Sequence, residues 1–253
     1  NNAMRIQFPA LIMSGHWSQD GEARIRNTGS TVRITLEGNR SPATIRGGPL
    51  ADDTYELSEV VFRWGSSDCK GAEHTLNGTW FTMEAQAIHF NKRYENIQNC
   101  WNKRDGLAIC SYFLQVYQIP TWDEHPLFSK ITDNLHKITQ PDSFTKLPAS
   151  TLRNLLLSNR FYFTYLGSTT TSPFYECVTW IVFPEPVRIS ENQAQFLPTM
   201  RGGPLRDDEF EFMNLQFRWG PENSRGAEHS LDNIWLEQIY TNCKYNKRWN
   251  FCK

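Results

Sequence analysis

The stretch from Thr54 to Gly65, TYELSEVVFRWG, and the stretch from Trp80 to Asn91, WFTMEAQAIHFN, decide the fold. Both are rich in residues that suit a pleated, half-buried strand, and they flank a loop carrying Gly65 and Gly71. Outward from this pair the pattern stays β. ARIRNTGSTVRITLEG alternates Arg24 and Arg26 with Ile25, then sets Val32, Ile34 and Leu36 on one face. That is a period-2 hairpin turning at Asn27-Thr28-Gly29. GLAICSYFLQVYQI and ECVTWIVF are continuous apolar runs of the buried-strand type. HPLFSKITDNLHKI spaces Leu127, Ile131, Leu135 and Ile138 by 4, 4 and 3, which predicts an amphipathic helix with Pro126 in its first turn. ASTLRNLLL reads as a short helical turn. The expected class is mainly β: a large, twisted, mostly antiparallel sheet with a few peripheral helices.

The composition fits that of a soluble globular chain. Of 253 residues 39% are hydrophobic and 21% charged, and 26 Lys and Arg against 27 Asp and Glu leave a net charge of -1. Such a balance offers no general field to a polyanion, so nucleic acid is not an expected partner. No apolar run reaches the ~18–20 residues of a membrane-spanning helix, and no segment at the N-terminus reads as a signal peptide. The Asn-Lys-Arg triplets at 91–93, 102–104 and 246–248 lie beside acids such as Glu95 and Asp105, as solvated strand ends do. The six cysteines form no C-x-x-C pair, and Cys110 and Cys177 sit in apolar runs as buried thiols. The six histidines show no HxH or HxxxH spacing, so a relocated metal site is not expected.

One signal is internal. Residues 46–93 align without a gap to 201–248, at an offset of 155, with 21 identities in 48 positions. About 3 would arise by chance at ~6% per position. RGGPL, FRWG and GAEH recur in both copies, and the expected organisation is a domain over 1–195 followed by a partial repeat of 46–96 over 196–253.

GGPL, YEL, FRWG and GAEHTLNG, then MEAQAIHFNKRY, DGLAI and YFTYLGSTTTSPFYECVTWIVF, occur in the order and at about the spacing of an α-class carbonic anhydrase domain. The sequence resembles that family from about Met4 to Gln195. The resemblance implies a sheet that holds zinc with three histidines on two neighbouring strands. Here the matching positions are Val61, Arg63 and Gln86. A catalytic zinc of this kind needs three neutral ligands and an open position for the water it activates. Valine has no lone pair to give, arginine is a permanent cation, and a glutamine carbonyl is a poor ligand alone. Arg63 either points inward toward the vacated charge site, or turns outward or pairs with Glu73 or Glu84.

Other pocket positions match the family. Glu84 matches the acid that orients a zinc ligand, Thr170 the hydroxyl beside the metal-bound oxygen, with Glu73 as its carboxylate partner, and Thr171 the next hydroxyl. Ile88, Ile109 and Trp180 match the apolar wall for carbon dioxide; Thr169 replaces a leucine there, and Ser30 stands where many active members carry a proton-shuttling histidine. His74 and His89 match structural positions.

The tail copy has Gln216, Arg218 and Thr241 at the three ligand positions, so it implies no second zinc site. The family's usual closing segment and its opening motifs are absent, which would leave sheet elements unpaired. The tail, or the edge it leaves, either docks on a partner by strand addition or folds back on its own domain. The resemblance thus implies a carbonic anhydrase-related protein without cofactor or catalysis, working as a protein-binding or structural module. The alternative is a zinc-dependent carbonate dehydratase with atypical ligands, or a weak esterase using Thr170 and Glu73. Phe174 stands at the site of a disulfide common in secreted relatives, which leans toward an intracellular chain and leaves secretion open.

Overall fold

A computed structural model describes residues 6–65, 71–116, 125–153, 161–190 and 193, apart from the side chain of 127, and the backbone of five strands between 199 and 244. The first ten strands form one sheet: β1 (Ile12–Ser14), β2 (Glu22–Asn27), β3 (Val32–Glu37), β4 (Thr44–Arg46), β5 (Thr54–Trp64), β6 (Met83–Asn91), β7 (Leu107–Val116), β8 (Phe144–Pro148), β9 (Phe163–Gly167) and β10 (Val178–Ile189). Its order is β8-β2-β3-β5-β6-β7-β10-β9, with β4 also on β5 and β1 on β4. Every pairing in this sheet is antiparallel except β7 with β10. The mainly β, mostly antiparallel architecture is as the alternation dictates.

The two long central strands show why. Val60, Phe62 and Trp64 of β5, Met83, Ala85 and Ala87 of β6, and Ala108, Cys110, Tyr112 and Leu114 of β7 are all buried in one apolar cluster. Tyr112 stacks on Phe183 of β10 at 4.7 Å between ring centroids. Each fully buried side chain of this size contributes about 1.5–3 kcal/mol. The residues between them point to the other face, and that face carries the site. The β2–β3 hairpin forms at the expected place, with Ile25, Val32 and Ile34 wholly buried. Cys110 and Cys177 are buried free thiols, and Cys100 is a third.

The expected helix over 125–138 is shorter. Its helical part, α1, is Pro126–Thr132, and a single 3-10 turn follows at Leu135–Lys137. Asn134 ends α1 by donating its side-chain amide to the Lys130 carbonyl at 2.8 Å, an alternative to the next helical bond. His125 caps the start by accepting from the Phe128 N–H, and Phe128, Ile131 and Ile138 are still buried. The turn in ASTLRNLLL is a 3-10 turn at Ala149–Leu152; the rest of that run, 154–157, lies outside the described residues.

In the tail, β11 (Thr199–Met200), β12 (Phe210–Phe217) and β15 (Ile239–Lys244) form a small sheet, and β13 (Ser230–Leu231) pairs with β14 (Ile234–Trp235). β12 and β15 are the counterparts of β5 and β6 at the offset of 155. They pair antiparallel, with an irregularity between Phe212 and Asn214 where β5 has one between Leu57 and Glu59. The register differs by one residue: Leu215, the counterpart of Val60, faces Thr241, whereas Val61 itself faces Gln86. Arg218 and the packing of the tail lie outside the described residues.

Candidate functional site

The site lies on the sheet face opposite the main core. Register puts Val61 of β5 directly across from Gln86 of β6, and Gln86 across from Ser111 of β7. Arg63, two residues beyond Val61, shares its face and sits opposite Glu84. Three sequence-singled positions thus converge on one patch of sheet. Val61 and Gln86 are buried, and Arg63 keeps 15% of its side chain exposed.

Around them runs a continuous polar network. Arg63 turns toward Glu73, with Nε 3.2 Å from Oε1. This is a charge contact rather than an aligned hydrogen bond, since Arg63 Nε has no hydrogen-bond partner. Arg63 Nη2 also approaches the Thr170 hydroxyl at 3.5 Å, and Thr170 bonds the Glu73 carboxylate. The Gln86 amide nitrogen donates to Glu73 Oε2 at 2.7 Å and to Glu84 Oε1 at 2.9 Å. Glu84, fully buried, accepts from the Ser111 hydroxyl at 2.8 Å and from the backbone N–H groups of Glu73 and His74 at 2.9 Å. His74 Nδ1 lies 2.8 Å from Glu84, and its Nε2 lies 2.6 Å from the Tyr165 hydroxyl on β9. Of the orientations open for Arg63, the structure has the pair with Glu73.

The charges follow from these contacts. Burial pushes the Glu73 carboxyl up, and Arg63 opposes that only in part. Burial alone would raise Glu84 too, but hydrogen bonds and charge from His74, with the Gln86 bond, hold it below the usual carboxylate range. Burial pulls His74 down, yet Glu84 outweighs it and the net shift is upward. A raised His74 contributes stability that is fully present below its unfolded value and lost as pH rises through its folded value. A depressed Glu84 contributes stability present above its unfolded value and lost as pH falls through its folded value. The pair therefore stabilises most between the two. From about pH 6 to about pH 8 the unfolding free energy of the native chain is expected to fall more steeply than that of His74→Gln, as urea melts at each pH would show; parallel profiles would contradict it.

The apolar wall is assembled by register as well. Ile88, Ile109 and Trp180 lie side by side across β6, β7 and β10, and Ile109 and Trp180 are buried in a cluster with Cys100, Leu107, Cys177 and Val178. The Trp180 ring N–H donates to the Ser168 carbonyl at 3.0 Å, and Thr169 donates to the Thr171 carbonyl at 3.1 Å. Thr171 is exposed. Ser30 is exposed in the β2–β3 turn, where its hydroxyl lies 3.4 Å from that of Thr28, not in the network. His16 and His89 form a separate buried pair, Nε2 to Nε2 2.9 Å, with both pKa values depressed by burial, His16 to about 4. The triplet at 91–93 is paired with acids: Lys92 with Glu56, and Arg93 with Asp53 and Asp105.

Sequence reasoning missed Ser111 and Tyr165. Ser111 could have been found from its spacing of two from Ile109 on the same strand; nothing local marks Tyr165.

The chain matches the family of eukaryotic-type carbonic anhydrases over residues 2–198. It is 37% identical over 172 residues to carbonic anhydrase 7 of Mus musculus, and 36% identical over 170 residues to that of Homo sapiens. It is 38% identical over 177 residues to carbonic anhydrase 1 of Oryctolagus cuniculus. These alignments cover 68%, 67% and 68% of this chain, and 63%, 62% and 71% of the relatives. The chain thus spans under two thirds of the carbonic anhydrase 7 sequences it matches. It belongs to the eukaryotic-type carbonic anhydrase family. Among the described residues no helix is long and apolar enough to cross a membrane.

The family implies a zinc ion, and the donor chemistry at the convergent patch does not fit one. Val61 offers carbon, Arg63 a cation already set against Glu73, and the amide nitrogen of Gln86 points its hydrogens at two carboxylates. Among the described residues no group of three or more His, Cys, Asp or Glu could hold a metal ion.

Proposed function

We propose that this chain is a catalytically silent member of the carbonic anhydrase family, with Val61, Arg63 and Gln86 at the three zinc-ligand positions, acting as a protein-binding or structural module. The observation that supports it is the Arg63–Glu73–Gln86–Glu84 network. The Arg63 guanidinium stands against the Glu73 carboxylate and the Gln86 amide bonds both Glu73 and Glu84, so two of the three ligand positions are engaged with the carboxylates behind them. Without the metal there is no group to bring a water's pKa down to about 7, and so no nucleophile at neutral pH. Glu73, Glu84, Thr169, Thr170, Thr171, Ile88, Ile109 and Trp180 then persist as scaffold. The working unit on this reading is the domain over 1–195, with 196–253 as a partial repeat of 46–96.

The test is carbon dioxide hydration by the chain after equilibration with excess zinc, beside hydrolysis of an activated ester. The expected result is no rate above the uncatalysed one in either assay. Hydration proportional to chain concentration would overturn the proposal in favour of a zinc dehydratase with atypical ligands. Ester hydrolysis abolished by Thr170→Val would overturn it in favour of the Thr170–Glu73 esterase.

A further inference from the structure

Two histidines outside the pocket network are wholly buried, and their tautomers follow from what they touch. His89 of β6 has its Nδ1 3.0 Å from the Ala87 carbonyl. A carbonyl only accepts, so that nitrogen carries the hydrogen and His89 Nε2 is a bare lone pair. His16, in the turn between β1 and β2, sits with its own Nε2 2.9 Å from that lone pair and donates to it. The His16 Nδ1 is then bare as well, buried and without a hydrogen-bond partner. A further proton on His16 is disfavoured in this place. Burial opposes the charge most, the Ser14 carbonyl offsets a part, and the Arg40 guanidinium adds to the opposition, leaving His16 at about 4. The groups set against His16 are thus His89 from β6 and Arg40 from the loop between β3 and β4, with Asp20 of its own turn acting on Arg40. His89 is held well below its ordinary value by burial and by His16, so it gives the proton no better place. The segment that His16 anchors is short. β1 has three residues and pairs with β4 alone. Besides that pairing, Arg40 bonds the Gly15 carbonyl, Tyr112 bonds the Met13 sulfur at 3.8 Å, and His16 plugs the turn into the sheet.

We propose that the turn carrying His16 is a proton-operated latch: uptake of one proton by His16 withdraws its ring from beside His89 and frees β1 from β4. In the closed form the added charge is buried beside a guanidinium; in the open form the imidazolium stands in water. A histidine held below its ordinary value favours the closed form fully above its free value, and that preference is lost as pH falls toward the closed value. The window therefore runs from about pH 6.5 downward. Opening draws Met13 out of the core and leaves β4 with β5 alone among the described residues. A terminal strand opens at a lower free energy than the whole sheet, so the latch works while β5 to β7 stand. It does not depend on whether the pocket holds zinc.

The experiment is hydrogen exchange of the full chain between pH 7 and pH 5, corrected for the intrinsic rate and read at the amides of Ile12–Ser14 that pair with β4. Ring NMR spectra of the histidines accompany it. The opening constant is expected to rise about twentyfold from pH 7 to pH 5, as one proton bound at ~6.5 when open and about 4 when closed requires, with β5 to β7 still protected. At pH 7 the spectra are expected to show His16 carrying its hydrogen on Nε2 and His89 on Nδ1. His16→Gln is expected to flatten the pH dependence, however tightly that variant closes at pH 7. Exchange at β1 that ignores pH, or that rises only in step with β5 to β7, would overturn the proposal. So would a rise of equal size in His16→Gln, or the opposite tautomers. If His16→Gln does not fold, the exchange profile and the tautomers of the native chain decide.

Discussion

Glu84→Ala is expected to lower the unfolding free energy by about 3–5 kcal/mol, the cost of removing one partner from a buried charged network. The Glu84 carboxylate is fully buried and accepts from Ser111, Gln86, the His74 ring and the backbone N–H groups of Glu73 and His74. Alanine leaves these donors facing a fully buried position, and leaves His74 without its counter-charge. In a domain of this size each kcal/mol moves the melting temperature by roughly 2–4 °C, so a fall on the order of 10 °C follows. Glu84→Gln keeps the shape but turns an amide toward the Gln86 amide, and should fall between the two. Urea unfolding at neutral pH checks this, with the slope unchanged and the midpoint displaced. A loss below about 1 kcal/mol would mean that the network is peripheral to stability.

The combined substitution Val61→His, Arg63→His and Gln86→His is expected to give a chain that binds one zinc ion tightly. Val61 faces Gln86 across the β5–β6 pairing, and Arg63 follows on the same face, so the three new side chains would emerge from one patch. Removing Arg63 takes away the fixed cation, and Glu84 remains beside position 86 to orient an imidazole there. Structural and catalytic sites of this ligand type bind zinc strongly once three neutral donors converge. Zinc analysis after dialysis, and the visible spectrum of the cobalt-substituted form, read the outcome independently of activity. A variant that folds, as judged by an intact cooperative melt, yet holds no metal would show that the pocket has lost more than its three ligands.

How much of this was legible beforehand depends on the range of each interaction. The strands β2 and β3 were, because alternation is local, and β5 and β6 because their runs are rich in residues that suit a strand. Ile25 and Ile34 lie where the period places them. The segment over 125–138 was read as one helix because Ile131 and Ile138 keep a helical spacing. The interruption between them comes from a side-chain bond of Asn134 that periodicity does not register. For the site, the identities of Val61, Arg63, Gln86, Glu73 and Glu84 were visible, but not what they do to each other. Whether Arg63 faces Glu73 or solvent depends on the loop that delivers Glu73. Ser111 and Tyr165 enter through the pairings of β6 with β7 and β9 with β10, which join residues far apart in sequence. Ser30 was singled out by alignment to a family position, and it stands in an exposed turn bonded to Thr28.

The central claim is that Val61, Arg63 and Gln86 offer zinc no site, Arg63 and Gln86 being engaged with Glu73 and Glu84. The most direct measurement is the metal content of the chain purified without chelator, by native mass spectrometry. The account predicts the mass of the bare polypeptide, with zinc well below one ion per chain even after incubation with the metal. A stoichiometric zinc adduct that survives dialysis, and that Gln86→Leu removes, would contradict it.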